Sequence, residues 1–133
     1  MRLNPMKSII LGFVVSYVIF SLLFNLTLLV ALDSVFHQIR TVEMIFSLII
    51  GGFIATYFAK EKKIQYGIYV GITWVVLIGL VPSLLFFLPT SLSNIINKVL
   101  TYIIYIIGTI TGSYLATLIA KHQKLSYEKP HYK

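Results

Sequence analysis

Residues 8–32 run without a single charged side chain, and so do residues 44–59, 66–88 and 99–120. No other feature limits the fold of this chain so strongly. A helix rises about 1.5 Å per residue, so about 20 apolar residues cross the hydrocarbon of a bilayer. Three of the blocks reach that length unaided. The second does so when Thr41, Val42 and Glu43 carry it into the outer headgroups, which gives expected spans at 8–32, 42–59, 66–88 and 99–120. The connections 33–41, 60–65 and 89–98 are short, so consecutive helices must be antiparallel neighbours. The expected fold is an all-α membrane protein, a four-transmembrane-helix bundle over residues 1–121, with a basic cytoplasmic tail at 122–133.

Composition agrees. Of 133 residues, 58% are hydrophobic and 11% charged. A soluble domain of this size cannot bury that much apolar surface. The first block is too long for a secretory h-region, and no small-x-small cleavage site follows Leu32, so it reads as a retained span. There is no cysteine, which excludes disulfides, thiolate metal sites and a cysteine nucleophile.

The net charge of +7 is distributed at the edges of the apolar blocks. A basic stripe of the kind that binds nucleic acid is missing, so no nucleic-acid partner is expected. One side of the membrane receives Arg2, Lys7, Lys60, Lys62, Lys63, Lys121, Lys124, Lys129 and Lys133; the other receives only Arg40 and Lys98. Positive charge stays inside, so both termini are expected in the cytoplasm of a cell-membrane protein. Tyr57, Phe58, Tyr66 and Tyr69 gather near the inner boundary, and Phe86, Phe87, Tyr102 and Tyr105 near the outer one. Aromatic rings form such belts at headgroup level.

The second and fourth blocks repeat each other. Gly51-Gly52-Phe53-Ile54-Ala55-Thr56 and Ala59-Lys60 match Gly112-Ser113-Tyr114-Leu115-Ala116-Thr117 and Ala120-Lys121, at a constant offset of 61 residues. Ser8 and Gly12 echo Gly67 and Gly71 more weakly. The bundle is therefore expected to consist of two tandem helical hairpins in the same orientation, a parallel repeat about an axis along the membrane normal. Every block also carries small residues four apart: Ser8, Gly12 and Ser16; Ser47, Gly51, Ala55 and Ala59; Gly67 and Gly71, then Gly79 and Ser83; Gly108, Gly112, Ala116 and Ala120. Four-residue spacing keeps them on one helix face. In lipid, close backbone approach must supply the attraction between helices. Gly12, Ser16, Gly51, Gly52, Ala55, Gly67, Gly71, Gly108, Gly112 and Ala116 are the expected packing residues. Since most lie in the inner halves, packing should be tighter on the cytoplasmic side.

Chemistry is scarce. No block has an ionisable residue near its centre, where one would mark a proton relay or ion path; Glu43 and Lys98 fall at outer ends. The first block lacks the embedded carboxylate of the small multidrug-resistance transporters, and the twin-glycine and Thr-Phe signatures of the small fluoride channels are missing. No carboxylate pair, His-nucleophile pair or metal-ligand cluster suggests catalysis, so no cofactor and no enzymatic activity are expected. Asp33, His37 and Arg40, with Glu43 nearby, would share a face only if their loop were helical; a solvated loop is the expectation. Asn25-Leu26-Thr27 matches a glycosylation motif but lies within a span.

Three intramembrane residues stand out. Asn25 lies about 10 Å into the hydrocarbon. Pro82 sits at comparable depth in the third block and leaves the Ile78 carbonyl without its helical donor, which lipid cannot replace. The expectation is that the Asn25 amide satisfies this kink, with ligand binding as the alternative. Trp74 sits well inside the third block, and a buried indole N–H wants an acceptor on a neighbouring helix. The tail from Lys121, with Tyr127 and Tyr132, either lies on anionic lipid or is solvated.

Gly51-Gly52-Phe53-Ile54-Ala55, then Lys62-Lys63, then Tyr66-Gly67 and Gly71 resemble the small four-span prokaryotic membrane proteins of unknown function. Those families close the second helix with a Gly-Gly-aromatic-x-small motif, make a short basic turn and open the third helix with glycines. Thr56 departs from the small residue that many have after Ala55. The resemblance covers about the middle quarter of the chain, and it implies the topology above and no activity. Two functions compete: a structural or accessory protein that self-associates or joins a larger membrane protein, and a homo-oligomeric transporter or channel without an intramembrane ionisable residue. The second requires Asn25, Thr73, Tyr105 and Thr109 to converge on one cavity. The first requires backbone carbonyls to satisfy them.

Overall fold

The apolar blocks have too little Gly and Pro in their interiors to break a helix, and among the described residues they are helical almost throughout. The computed structural model describes residues 3–30, 33–61, 63–82 and 92–127. Four helical elements follow in order: α1 (Pro5–Val30), α2 (Asp33–Phe58), α3 (Gln65–Trp74, continued by a π-helical turn, Val75–Leu80) and α4 (Leu92–Tyr127). There is no β-strand among the described residues. α1, α2 and α4 contain stretches long and apolar enough to cross a membrane; the apolar stretch of the third element, Gln65–Leu80, is shorter. Residues 83–88, which carry Phe86 and Phe87, lie outside the described residues, as does the tail from 128 with Tyr132.

Two helix boundaries differ from the sequence expectation. The expected loop 33–41 belongs to α2, and residues 92–98 of the expected connection 89–98 belong to α4. Hydropathy marks where apolar side chains stop, while the helix continues as long as its residues are good helix formers. Gln38, Arg40 and Lys98 are such residues. α4 likewise runs to Tyr127, so the first seven residues of the expected tail segment from Lys121 are helical.

α2 and α4 form the central pair, and they are parallel. Gly108 lies against Ile45 and Leu48, Gly112 against Ile49, and Ser113 against Thr56, so both chains advance together. α1 runs antiparallel to α2, with Leu3 beside Ala59, Gly12 beside Gly51, and Thr27 beside Glu43. α3 runs antiparallel to α4, with Gly67 beside Thr109, Gly71 beside Ile106, and Gly79 beside Tyr102. α1 and α3 meet around Trp74, whereas α1 and α4 do not meet among the described residues. The order around the bundle is thus α1, α2, α4, α3.

Glycine sets the central distance. A β-carbon on Gly52 would overlap the Thr109 carbonyl, and one on Gly112 would overlap the Ile49 carbonyl. Backbone therefore lies on backbone, which gives dispersion contacts that larger residues could not reach. At the end of α2 the chain segment before α1 acts as a strap. Leu3 N–H donates to the Phe58 carbonyl (2.9 Å) and Lys60 N–H to the Leu3 carbonyl (3.1 Å). This satisfies one of the carbonyls that a helix C-terminus leaves open.

Candidate functional site

The interior of the bundle is polar in small, closed units. Gly12, Ser16, Gly51, Gly52, Ala55, Gly67, Gly71, Gly108, Gly112 and Ala116 are all buried, and they fall on three seams. Gly12, Ser16, Gly51 and Ala55 bring α1 onto α2: a β-carbon on Gly12 would sit 2.5 Å from the Gly51 oxygen and 2.7 Å from the Ala55 β-carbon. Gly52, Gly108 and Gly112 bring α2 onto α4, and Gly67 and Gly71 bring α3 onto α4.

Hydroxyls tie the seams together. Thr56 Oγ1 donates to Ser113 Oγ (2.7 Å), and Ser113 Oγ donates to the Gly52 carbonyl (3.0 Å). Donor and acceptor of the second bond are 61 residues apart, the offset of the repeat. Thr56, noted in the sequence as a member of the repeat and a departure from the family motif, supplies the first donor in this chain. Its repeat counterpart Thr117 does not cross helices; it is part-exposed and bonds its own Tyr114 carbonyl (2.7 Å). Gly51 and Gly112 also part company, the former lying against Ser16 of α1 and the latter against Ile49 of α2.

Trp74 is fully buried, and its Nε1–H donates to Ser16 Oγ (2.7 Å), which donates in turn to the Phe13 carbonyl (2.8 Å). Phe13, Phe20 and Tyr105 present edges to the indole with centroids 5.7–6.0 Å away. Those are the favoured distances and tilts for aromatic pairs, and the rings leave the indole no open face toward a cavity.

The Asn25–Ile78 pairing does not form. The Asn25 amide is exposed and donates to the Ser21 carbonyl of its own helix (2.7 Å). Pro82 is accommodated differently. The turn before it opens to π geometry, in which Val81 N–H bonds Val76 oxygen. Single π turns are the usual way to absorb such a mismatch inside a helix.

Thr73 donates to Tyr69 oxygen (2.8 Å), and Thr109 shares its hydroxyl between Tyr105 and Ile106 oxygens (3.1 and 2.9 Å). With Asn25, these residues are therefore satisfied within their own helices and do not converge on a cavity.

Glu43 is placed unlike the sequence expectation. With α2 starting at Asp33, it is not a terminal residue. It lies within α2 (Asp33–Phe58), directly before the uncharged run 44–59. Thr27 Oγ1 donates to Glu43 Oε1, while Oε2 is buried without a hydrogen-bond partner. Beside it opens a groove of about 350 Å³ lined by Leu23, Gln38, Ile39, Val42, Glu43 and Phe46. Arg40 does not bridge to Glu43; its guanidinium lies over the Phe24 ring, 5.3 Å from the centroid. The 16-residue separation of Thr27 and Glu43 left no local signal in the sequence. The side chains of Asp33 and His37 lie outside the described residues. Among the described residues no group of three His, Cys, Asp or Glu side chains could hold a metal.

Between α2 and α3, Lys63 Nζ pairs with Glu61 Oε2 at 2.5 Å, both exposed. The Lys63 hydrogen bond and charge hold the Glu61 carboxyl below its usual pKa, and Glu61 raises Lys63 for the same reasons. An exposed pair of this kind contributes little to stability.

The chain matches no known protein-family model, no curated protein and no solved structure.

Proposed function

We propose that this chain is a non-enzymatic integral membrane protein of the cell membrane, with a structural or accessory role as a self-associating bundle or a subunit of a larger membrane complex. It crosses four times with both termini in the cytoplasm, as two tandem hairpins. The single observation that carries the reading is the division between surface and interior. Met6, Ile10, Leu22, Leu26 and Leu29 of α1 are exposed, Leu29 at 82% and Met6 at 75%, while Ser8, Ser16, Ser47, Thr56, Thr109 and Ser113 are buried. Water drives the reverse arrangement, and a lipid surround favours this one. The charge asymmetry supports the orientation. The parallel course of α2 and α4 and the Gly52–Ser113 bond at the repeat offset support the tandem hairpins. Local satisfaction of Asn25, Thr73 and Thr109 supports packing over a polar pathway. The buried Gly51-Gly52 motif suits membership of the small four-span families that the sequence resembles.

The test is native mass spectrometry of tagged protein extracted gently from its own membranes. One copy bound to a different, larger membrane protein, or a defined homo-oligomer, is the expected result. A monodisperse soluble monomer in the supernatant before any detergent is added would overturn the proposal.

A further inference from the structure

Burying a carboxylate oxygen without a hydrogen bond or counter-charge is costly. Among the described residues Glu43 has a single hydrogen-bond partner. Thr27 hydroxyl engages one oxygen and nothing engages the other. Arg40, one turn away on the same helix, is committed to the Phe24 ring, and the described part of α1 brings no charged side chain to this level. Next to the carboxyl is a groove whose other walls are Leu23, Ile39, Val42 and Phe46, with Gln38 at its rim. Its volume of about 350 Å³ is in the range of small-ligand sites, which are mostly apolar with a few placed polar groups.

We propose that the groove between α1 and α2 binds lipophilic organic cations, with Glu43 as the counter-ion and Thr27 as the residue that positions its carboxyl. The complementarity is specific in sign and in character. An apolar substituent displaces lipid chains from Leu23, Val42 and Phe46, and one positive centre meets the Glu43 carboxylate. A turn of the terminal carboxyl torsion, which is soft, presents Oε2 to the groove. An inorganic cation would need several oxygens, and the groove offers only the Glu43 carboxyl and the Gln38 amide. The site rests on the membrane-spanning reading above, since in water an exposed carboxylate needs no partner.

The experiment is equilibrium binding of tetraphenylphosphonium to the purified full chain in lipid nanodiscs, with empty nanodiscs as background and the isosteric anion tetraphenylborate as the sign control. Saturable binding of the cation alone is expected, with affinity reduced at least about ten-fold in E43Q and less in T27V. E43Q keeps an oxygen for Thr27, and helicity and size-exclusion profile identify any variant that has not folded. Binding that is equal in E43Q and the parent chain, or non-saturable for both ions, would mean lipid partitioning only and would overturn the proposal. Glu43→Cys reports separately on the membrane reading. Blocked from hydrophilic maleimide yet reactive to a lipid-soluble one, it is embedded, and a binding failure then counts against the cation site alone. Ready labelling by the hydrophilic reagent would place the fault with the membrane reading.

Discussion

On the orientation proposed above, the inner half of the bundle, around Thr56 and Trp74, and the outer half, around Glu43 and Pro82, solve the same problem in opposite ways. In the inner half, polar groups belong to side chains small enough to let helices touch, and each bond closes between neighbours: Thr56 to Ser113 to Gly52, and Trp74 to Ser16 to Phe13. In the outer half, polarity is carried by a long acidic side chain beside a groove, and the third element opens into a π turn before Pro82. Close approach gives rigidity and leaves no room for a ligand. At the other end a groove of about 350 Å³ remains beside the carboxyl. The inner half reads as the frame, and the outer half as the part able to bind.

Substitutions can break or sharpen that contrast. The largest effect is expected from Gly112→Val or Gly52→Val, where a side chain meets a carbonyl that cannot move without its helix. A loss of about 3 kcal/mol or more is expected in reversible unfolding in mixed micelles. An equal loss from Val42→Phe, on the groove, would erase the distinction between the halves. Trp74→Phe removes the indole donor but keeps most of the ring packing, so about 1–2 kcal/mol is expected by the same unfolding assay, with a matching loss in Ser16→Ala.

The repeat supplies a finer comparison. Thr56→Ala breaks an interhelical bond, which in membranes averages about 0.6 and reaches about 1.7 kcal/mol. Thr117→Ala, at the equivalent position, should change stability by less than about 0.5 kcal/mol, since it bonds only its own helix. Equal effects at the two positions would show that the hydroxyl chain contributes nothing across the seam. The smallest effect is expected at Asn25→Leu, near zero or slightly stabilising, because its amide faces outward and serves only Ser21. A large loss there would restore the discarded link to the third element.

Much of the frame was legible in the residues. Long uncharged blocks can be little other than helices, and small residues four apart define a face, so Gly12, Gly51 and Gly112 could be marked before any partner was known, while Gly52 was marked by the twin-glycine motif. The direction of each seam was not legible. Gly51 and Gly112 occupy equivalent places in the repeat yet meet α1 and α2 respectively, a choice made by tertiary packing. Helix ends were misplaced because hydropathy reports side chains and not backbone bonding, so α2 begins at Asp33, well before Glu43. The outer half suffered most. The Pro82 signal correctly pointed to a break in the ladder, but backbone register absorbed it where a side chain was expected to. The Thr27–Glu43 contact depends on two helices meeting at one height, which no local pattern encodes.

The account depends above all on the bundle lying across a membrane with Lys60 and Lys63 on one side and the Asp33 end of α2 on the other. The chain has no cysteine, so single cysteines at Lys63 and Gln38, both exposed, test this directly with an impermeant maleimide on whole cells. The account predicts that Gln38→Cys is labelled in intact cells and Lys63→Cys only after the membrane is opened. Labelling of both, or of Lys63→Cys alone, in intact cells would contradict it.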